Sequence, residues 1–216
     1  LGRENMFPLI STLDIMGVIV FAISGALVAS RKEMDLVGFG LMASLTGVGG
    51  GTLRDLLLDR HVFWISDPLP VAICLAVALV VFFSANIIQK RYSALLWADA
   101  LGISLYGVMG AELAMLSGAG TLVAIVMGVM TATFGGLIRD VICNETPLIL
   151  GKEIYATCAA LAAATHIGLS SLGLSLEMAA AGGIAVGFIS RGLGIIKGLS
   201  LPTYKSRPGK DYTTKP

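Results

Sequence analysis

Long apolar stretches alternate with short polar segments along almost the whole chain. Each stretch holds about 20 mostly apolar residues, the length that a helix needs to cross a bilayer. The polar segments between them, such as SRKEMD and NETPLILGK, are short. The pattern predicts an all-α integral membrane protein with seven spanning helices, at about residues 7–29, 36–58, 69–88, 94–116, 121–143, 152–170 and 174–195.

The composition agrees with a chain that lives in a lipid bilayer. Apolar residues make up 56% of it, charged residues only 13%, and the mean hydropathy is +0.86. A soluble domain carries about 25% charged residues, so this chain could not cover a water-facing surface. The net charge of +1 and the lack of a long basic run flanked by aromatics give no sign of a nucleic-acid partner.

Neither the cysteines nor the histidines form a pattern that predicts chemistry. Cys74, Cys143 and Cys158 are odd in number and lie in or beside apolar stretches, unlike a disulfide framework or a zinc site. His61 and His166 have no cysteine or carboxylate at ligand spacing. No catalytic residue, metal ion or cofactor is therefore predicted, and the protein is expected not to be an enzyme.

Basic residues collect on one side of the predicted membrane topology. Arg31 and Lys32 lie in the first loop, Lys90 and Arg91 in the third, and five more basic residues follow residue 196. With seven spans these places share one side, and the other side has little beyond Arg60. Because cytoplasmic loops are enriched in lysine and arginine, we expect the N-terminus outside and the C-terminus in the cytoplasm.

The chain contains an internal duplication. GGGTLRDLL and FGGLIRDVI share the pattern Gly-Gly-x-x-Arg-Asp, and their aspartates stand 85 positions apart. The same offset matches, without a gap, Asp14 with Asp99, Gly17 with Gly102, Phe21 with Tyr106, Gly25 with Gly110, Ala26 with Ala111, Thr46 with Thr131 and Arg54 with Arg139. Self-similarity of this kind is the signature of a repeated structural unit.

The repeat predicts how the chain is organised. Residues 1–6 are expected to form an N-terminal tail, in which Leu1–Asn5 precede a natural start at Met6. Two three-helix repeats follow at 7–93 and 94–173, then a seventh helix at 174–196 and a basic cytoplasmic tail at 197–216. Because three is odd, the second repeat should lie inverted relative to the first, with a permeation path at the interface between the repeats.

Consecutive glycines are expected to break two of the helices. Gly49, Gly50 and Gly51 fall within the second span, and Gly135 and Gly136 within the fifth. Broken backbone in a membrane faces protein or a water-filled cavity, so the breaks should lie at the path. The alternative is that glycines let helices pack closely, which is favoured for the isolated pairs Gly17 and Gly102, and Gly25 and Gly110. A phosphate-binding loop is excluded because no Gly-Lys-Ser/Thr follows.

Charged residues within the spans form two candidate clusters, because an arginine or aspartate at mid-helix costs about 2.5–3.5 kcal/mol unless it pairs or faces water. The clusters are Asp14, Arg54 and Asp55 near the outer side, and Asp99, Arg139 and Asp140 near the inner side. They could line the path or lock the fold as ion pairs. Adjacent helical residues do not face each other, so we expect Arg54 to pair with Asp14 and Arg139 with Asp99.

The two clusters are expected to differ in one respect. The fifth loop carries Glu145 and Glu153 against Lys152 alone. These acids could partly offset the loss of Asp99 on the inner side.

Uncharged polar residues complete the set of pore candidates. Ser44, Thr46, Thr131 and Thr133 lie in the second and fifth spans. A channel needs a continuous polar path with weak sites, and a transporter needs an occluded site with specific donors and acceptors. Scattered hydroxyl groups without a dense cluster at mid-membrane favour the channel.

The stretch DIMGVIVFAISGALVASRKEMDLVGFGLMASLTGVGGGTLRDLLL, the following VFWISDP and the second copy resemble the trimeric intracellular cation (TRIC) channel family in its prokaryotic branch. The resemblance covers about residues 7–197. It implies a homotrimer in a prokaryotic inner membrane, with a pore inside each protomer that passes potassium and sodium ions.

The resemblance leaves two other functions open. The same domain is also labelled a glycine transporter, so a secondary transporter for glycine or another small amino acid is the main alternative, and a structural membrane scaffold is a third. The second repeat departs from the first by having Phe134 in place of Gly49. The two helix breaks are therefore expected to differ.

Overall fold

The structure, a computed structural model, describes residues 6–87, 90–151 and 153–202. The residues before Met6 and most of the basic tail lie outside this part of the chain. Within it the chain forms eight α-helices and two short 3₁₀ turns, at Ala85–Ile87 and Leu148–Leu150. The helices are α1 (Met6–Arg31), α2 (Leu36–Leu57), α3 (Phe63–Ser66), α4 (Leu69–Ser84), α5 (Arg91–Leu116), α6 (Thr121–Ile142), α7 (Ala156–Ser171) and α8 (Leu176–Lys197).

The architecture is that of an all-helical membrane protein. Six described segments are long and apolar enough to cross a membrane: Ile10–Arg31, Leu36–Leu57, Leu69–Ile87, Arg91–Leu116, Thr121–Ile142 and Leu176–Lys197. The sixth predicted span corresponds to α7, which has only 16 residues and would be about 24 Å long. The count of seven spans therefore stays a prediction.

Helices α1 and α5 form the centre of the bundle. They pack against each other, α2 and α4 pack against α1, and α6, α7 and α8 pack against α5. The most exposed of the spanning segments is the one that holds α4, which presents Leu75, Leu79 and Phe83 on the outside. Large apolar side chains on an outer surface suit lipid as the solvent.

The chain leaves α2 and α6 through the same turn. Arg60 N–H donates to the Asp55 carbonyl at 2.8 Å, and Glu145 N–H donates to the Asp140 carbonyl at 2.9 Å. The turn places Asp59 and Asn144 in the left-handed region, with φ of 52° and 50°. Asp and Asn tolerate this conformation better than most side chains. The repeat of 85 positions is therefore also present in the backbone conformation of the loops that follow α2 and α6.

The predicted breaks in the second and fifth spans are wrong. α2 continues through Gly49–Gly51, and α6 continues through Gly135 and Gly136. A glycine costs a helix about 1 kcal/mol, whereas a backbone group left unpaired in lipid costs several. Helical hydrogen bonding therefore continues across the glycines.

The glycines instead let α2 and α6 cross in close contact. A methyl group added at Gly50 would lie 2.1 Å from the Thr131 carbonyl oxygen, and one added at Gly135 would lie 2.4 Å from the Thr46 carbonyl oxygen. In both cases the neighbour is main chain, which cannot turn aside as a side chain can. The two halves of the chain meet backbone to backbone at this crossing.

Candidate functional site

The first polar cluster consists of Asp14 on α1 with Arg54 and Asp55 on α2. Arg54 is 1% exposed, its Nε donates to Asp55 Oδ1 at 2.8 Å, and its Nη1 donates to Asp14 Oδ1 at 3.4 Å. The other oxygen of Asp55 accepts the Phe63 N–H at 3.0 Å. The cluster thus joins α1, α2 and the first residue of α3.

The second polar cluster, Asp99, Arg139 and Asp140, has the same design. Arg139 is completely buried, its Nε donates to Asp140 Oδ1 at 2.8 Å, and its Nη1 donates to Asp99 Oδ1 at 2.8 Å. Asp140 Oδ2 accepts the Leu148 N–H at 3.0 Å. Leu148 stands 85 positions after Phe63, so even the main-chain amide that each cluster binds is repeated.

The expected ion pairs Asp14–Arg54 and Asp99–Arg139 are both present, but the exclusion of the adjacent acids is wrong. The rule about neighbouring helical positions applies to side chains that point straight out. Arginine is long enough to bend along the helix, so its Nε meets the next carboxylate while its Nη1 reaches another helix. Each arginine therefore has two acids.

Each arginine also reaches across to the other half of the chain. Arg54 Nη1 lies 3.8 Å from the Met109 sulfur on α5, and Arg139 Nη1 donates to the Ser24 hydroxyl on α1. Met109 and Ser24 are themselves 85 positions apart. The two contacts are therefore equivalent, because each arginine contacts the same repeat position in the opposite half of the chain.

The clusters differ in their access to solvent. The Asp14 side chain is 15% exposed, whereas the Asp99 side chain is 1% exposed. Tyr155, which is buried, stands beside Asp99, Gly136 and Arg139, and its ring lies under the Arg191 guanidinium at 5.3 Å. The first cluster is thus partly open and the second is sealed.

Two aromatic side chains occupy the space between the clusters. The rings of Phe21 on α1 and Tyr106 on α5 have centroids 5.3 Å apart, and both side chains are buried. The Tyr106 hydroxyl lies 3.4 Å from the Gly47 carbonyl oxygen, to which it donates. Each ring packs against a glycine on the opposite helix, at Gly102 and Gly17. The pair thus packs in the interior between the clusters.

The uncharged candidates do not form one lining. Thr46 and Thr131 are buried, and their hydroxyl groups donate at 2.7 Å to carbonyl oxygens of their own helices. Thr133 does the same at 2.9 Å. Ser44 lies away from them, at a surface cavity that Leu41 and Leu75 also line. The structure thus brings Thr46 and Thr131 to the α2–α6 crossing and leaves Ser44 on another face.

The face of the α2–α6 crossing that carries Gly49 is apolar. Gly49, Phe134, Val48 and Ile138 line a cavity of about 260 Å³ there, and Trp64 covers it with its Nε1 donating to Thr52 Oγ1 at 2.8 Å. Phe134, the departure from the repeat, thus lines a cavity beside the crossing. The charged groups lie toward α1 and α5 instead.

Several site residues were not among the sequence candidates, namely Phe21, Tyr106, Ser24, Met109, Phe63 and Leu148. The repeat alignment matched Phe21 with Tyr106, which was the signal available for them. Ser24 and Met109 differ in chemistry, so no residue pattern points to their shared position. Among the described residues, no group of three His, Cys, Asp or Glu side chains could hold a metal ion.

These features define an integral membrane protein with two related halves, and comparison with known proteins assigns it to a family. A family model described as a glycine transporter matches the chain twice, at residues 11–86 and 96–171. The two matches begin 85 positions apart. The chain belongs to the trimeric intracellular cation (TRIC) channel family, in its prokaryotic branch.

Solved structures and known sequences support the assignment to this family. The TRIC channel orthologue from Rhodobacter sphaeroides is 52% identical, with a TM-score of 0.86 over 88% of this chain and 99% of that chain. A second TRIC cation channel is 32% identical, with a TM-score of 0.80 over 92% and 98%. The inner membrane protein YadS of Escherichia coli is 36% identical over 91% of this chain and 96% of its own length. The solved relatives are named as channels, not enzymes.

Proposed function

We propose that the protein is a channel for monovalent cations such as potassium and sodium, with a pore inside each protomer. The observation that carries the proposal is the pair of matched clusters in the interior bounded by α1, α2, α5 and α6. The solved relatives that are named TRIC cation channels support it. The pore is lined by continuous helices rather than by broken ones.

The charge of the clusters supports cations as the permeant ions. Each cluster combines one arginine with two carboxylates, so it carries a net negative charge when all three groups are ionised. Acidic groups at a pore attract cations and repel anions. The arginine moderates this attraction, which keeps binding weak enough for an ion to leave.

The described conformation corresponds to a closed pore in this proposal. A path from the first cluster to the second must pass the rings of Phe21 and Tyr106, which fill the interior. Opening requires these rings to move. The Tyr106 hydroxyl, held by the Gly47 carbonyl on α2, couples that movement to α2.

We further propose an inverted repeat, with the N-terminus outside and the C-terminus in the cytoplasm. Ion pairs of Arg31 and Lys32 with Glu145, at 3.1 and 3.4 Å, bring the end of α1 and the end of α6 together. Arg54, near the end of α2, lies by contrast beside the start of α1 through Asp14. The matched clusters thus occupy opposite ends of the bundle, and cysteine labelling from each side of the membrane tests the orientation.

A homotrimer in a bacterial inner membrane is the proposed assembly. The solved orthologue is named a trimeric channel and YadS an inner membrane protein. Mass measurement of the purified protein in detergent tests the number of protomers.

Planar-bilayer recording of the purified protein tests the channel. We expect unitary currents that reverse near the cation equilibrium potential in a potassium chloride gradient. Uptake of labelled glycine into proteoliposomes tests the transporter alternative. Slow glycine uptake without unitary currents would contradict the channel.

A variant of the aromatic pair makes the test specific to the proposed path. Tyr106→Ala removes the ring and its bond to α2, so the open probability should rise. Tyr92→Ala is the matched control, because Tyr92 lies on the same helix but is 50% exposed. An equal change in both variants would place the path elsewhere.

A further inference from the structure

A polar cavity lies at one end of the bundle, where four spanning segments begin or end. It is bounded by the last residues of α1 and α4 and the first residues of α2 and α5, and its volume is about 440 Å³. A place where spanning helices end lies at the level of the lipid headgroups. The cavity therefore faces the boundary between lipid tails and water.

The lining of the cavity combines charged and aromatic groups. Arg91 and Glu33 provide a charge of each sign, while Phe39, Phe82 and Phe83 form an apolar wall. The ring centroid of Phe82 lies 5.1 Å from that of Phe39 and 5.3 Å from that of Phe83. Phe83 is 72% exposed on the outer surface, so the wall continues from the cavity to the lipid-facing side.

Arg91 is held in place and still has donors to offer. Its Nε donates to the Ala85 carbonyl at 3.0 Å, its Nη1 to the Ser30 carbonyl at 3.5 Å and its Nη2 to Asn86 Oδ1 at 3.3 Å. A guanidinium group has five N–H bonds, so contacts with the described residues leave two of them. These bonds fix the orientation of the group, which lowers the entropy cost of binding an anion.

Glu33 supplies the opposite charge from the turn between α1 and α2. Its side chain is exposed, and it forms no ion pair with any residue that the structure describes. Arg31 and Lys32, the nearest basic residues in sequence, pair with Glu145 instead. Among the described residues, none neutralises the Glu33 carboxylate, so it is available to a bound cation.

The duplication provides an internal comparison for this cavity. The second repeat folds in the same way, yet it has smaller residues at four of the positions that line the cavity in the first. Glu33 corresponds to Gly118, Phe39 to Ala124, Phe83 to Gly168 and Asn86 to Ser171. Because the fold forms without these charged and aromatic groups in one half, their presence in the other points to a ligand.

We propose that this cavity binds the headgroup of phosphatidylethanolamine. The lipid phosphate accepts hydrogen bonds from the free N–H groups of Arg91. The primary ammonium of the ethanolamine donates hydrogen bonds to the Glu33 carboxylate, and one acyl chain lies along Phe83. Phosphatidylglycerol carries the phosphate without the ammonium, and phosphatidylcholine carries an ammonium without N–H donors. The site does not depend on what the pore conducts.

Native mass spectrometry of the full chain in a neutral detergent tests the proposal. The protein is titrated with 1-palmitoyl-2-oleoyl forms of phosphatidylethanolamine, phosphatidylglycerol and phosphatidylcholine. We expect phosphatidylethanolamine to bind most tightly. Glu33→Gln should weaken its binding about fivefold and leave phosphatidylglycerol unchanged, and Arg91→Gln should weaken all three lipids.

Further variants separate binding from folding. Arg60→Gln removes one exposed basic residue of the opposite end and should change none of the affinities. Arg91 also holds main-chain carbonyls, so Arg91→Gln is the variant that could fail to fold. In that case the lipid affinities of Glu33→Gln and Phe83→Ala decide the outcome. Equal binding of phosphatidylcholine and phosphatidylethanolamine would overturn the proposal. So would tighter binding of phosphatidylglycerol, or wild-type affinity in Glu33→Gln.

Discussion

Asp99→Ala should destabilise the protein far more than Asp14→Ala, although the two aspartates occupy equivalent positions. Asp99 is 1% exposed and lies 2.8 Å from Arg139, which is completely buried. Removing one partner of a buried ion pair costs about 3–5 kcal/mol, because the other charge stays buried. Asp14 is 15% exposed and 3.4 Å from Arg54, so water can take the place of its carboxylate beside the guanidinium and the expected cost is smaller.

The structure also shows that Glu145 and Glu153 cannot offset the loss of Asp99, as the sequence had suggested they could. Glu145 is bound to Arg31 and Lys32, and Glu153 is bound to Arg191 at 2.8 Å. Neither acid is available to Arg139, so Asp140 alone remains for it after Asp99 is removed.

Thermal unfolding in detergent, with single-channel currents on the same preparations, measures the difference between the aspartates. Asp14→Ala should leave a folded protein with a smaller cation current, because the Arg54 charge beside the proposed path is less compensated. Glu177→Ala, at an exposed position on α8, is the control. Equal unfolding temperatures for the two aspartate variants would show that burial does not distinguish the clusters.

Gly50→Ala should destabilise the protein by about 3 kcal/mol, although the change adds a single methyl group. That group would lie 2.1 Å from the Thr131 carbonyl oxygen, so α2 and α6 would have to move apart. Overpacking a well-packed contact costs about 1–3 kcal/mol, and a clash with main chain belongs at the upper end of that range. Gly135→Ala should act in the same way, since its methyl group would lie 2.4 Å from the Thr46 carbonyl oxygen.

A matched control gives the glycine experiment an opposite expected sign. Gly168 lies within α7 and has nothing within 4 Å of an added methyl group. Gly168→Ala should therefore raise stability by up to about 1 kcal/mol through the better helix propensity of alanine. The yield of monodisperse protein and its unfolding temperature measure both effects. A Gly50→Ala variant that unfolds with the wild type would show that the crossing is loosely packed.

The amino-acid sequence predicted the membrane architecture and the pairing of each arginine with a distant aspartate. Runs of apolar residues report spanning helices directly, because lipid leaves the backbone few other choices. The repeat alignment then placed Arg54 and Arg139 at equivalent positions. Pairing followed from the cost of an unpaired charge in a bilayer.

Other features of the site depend on three-dimensional packing that no residue pattern records. Three consecutive glycines look like a helix break, yet the middle one, Gly50, serves contact between helices because the Thr131 carbonyl occupies the space of the missing side chain. The second acid of each arginine depends on how a long side chain bends. The role of Phe21 and Tyr106 depends on two helices bringing their rings together at mid-bundle.

The contacts between the halves occur in exchanged pairs, as in a dimer of identical chains with a two-fold axis. Gly50 meets the Thr131 carbonyl as Gly135 meets that of Thr46. In a dimer of identical subunits, every mutation at such an interface changes both of the equivalent contacts. Here both copies are encoded in one chain, so each can diverge while its counterpart preserves the original contact. Met109 and Ser24 record one such divergence, in which a single ancestral position has become a thioether in one copy and a hydroxyl in the other.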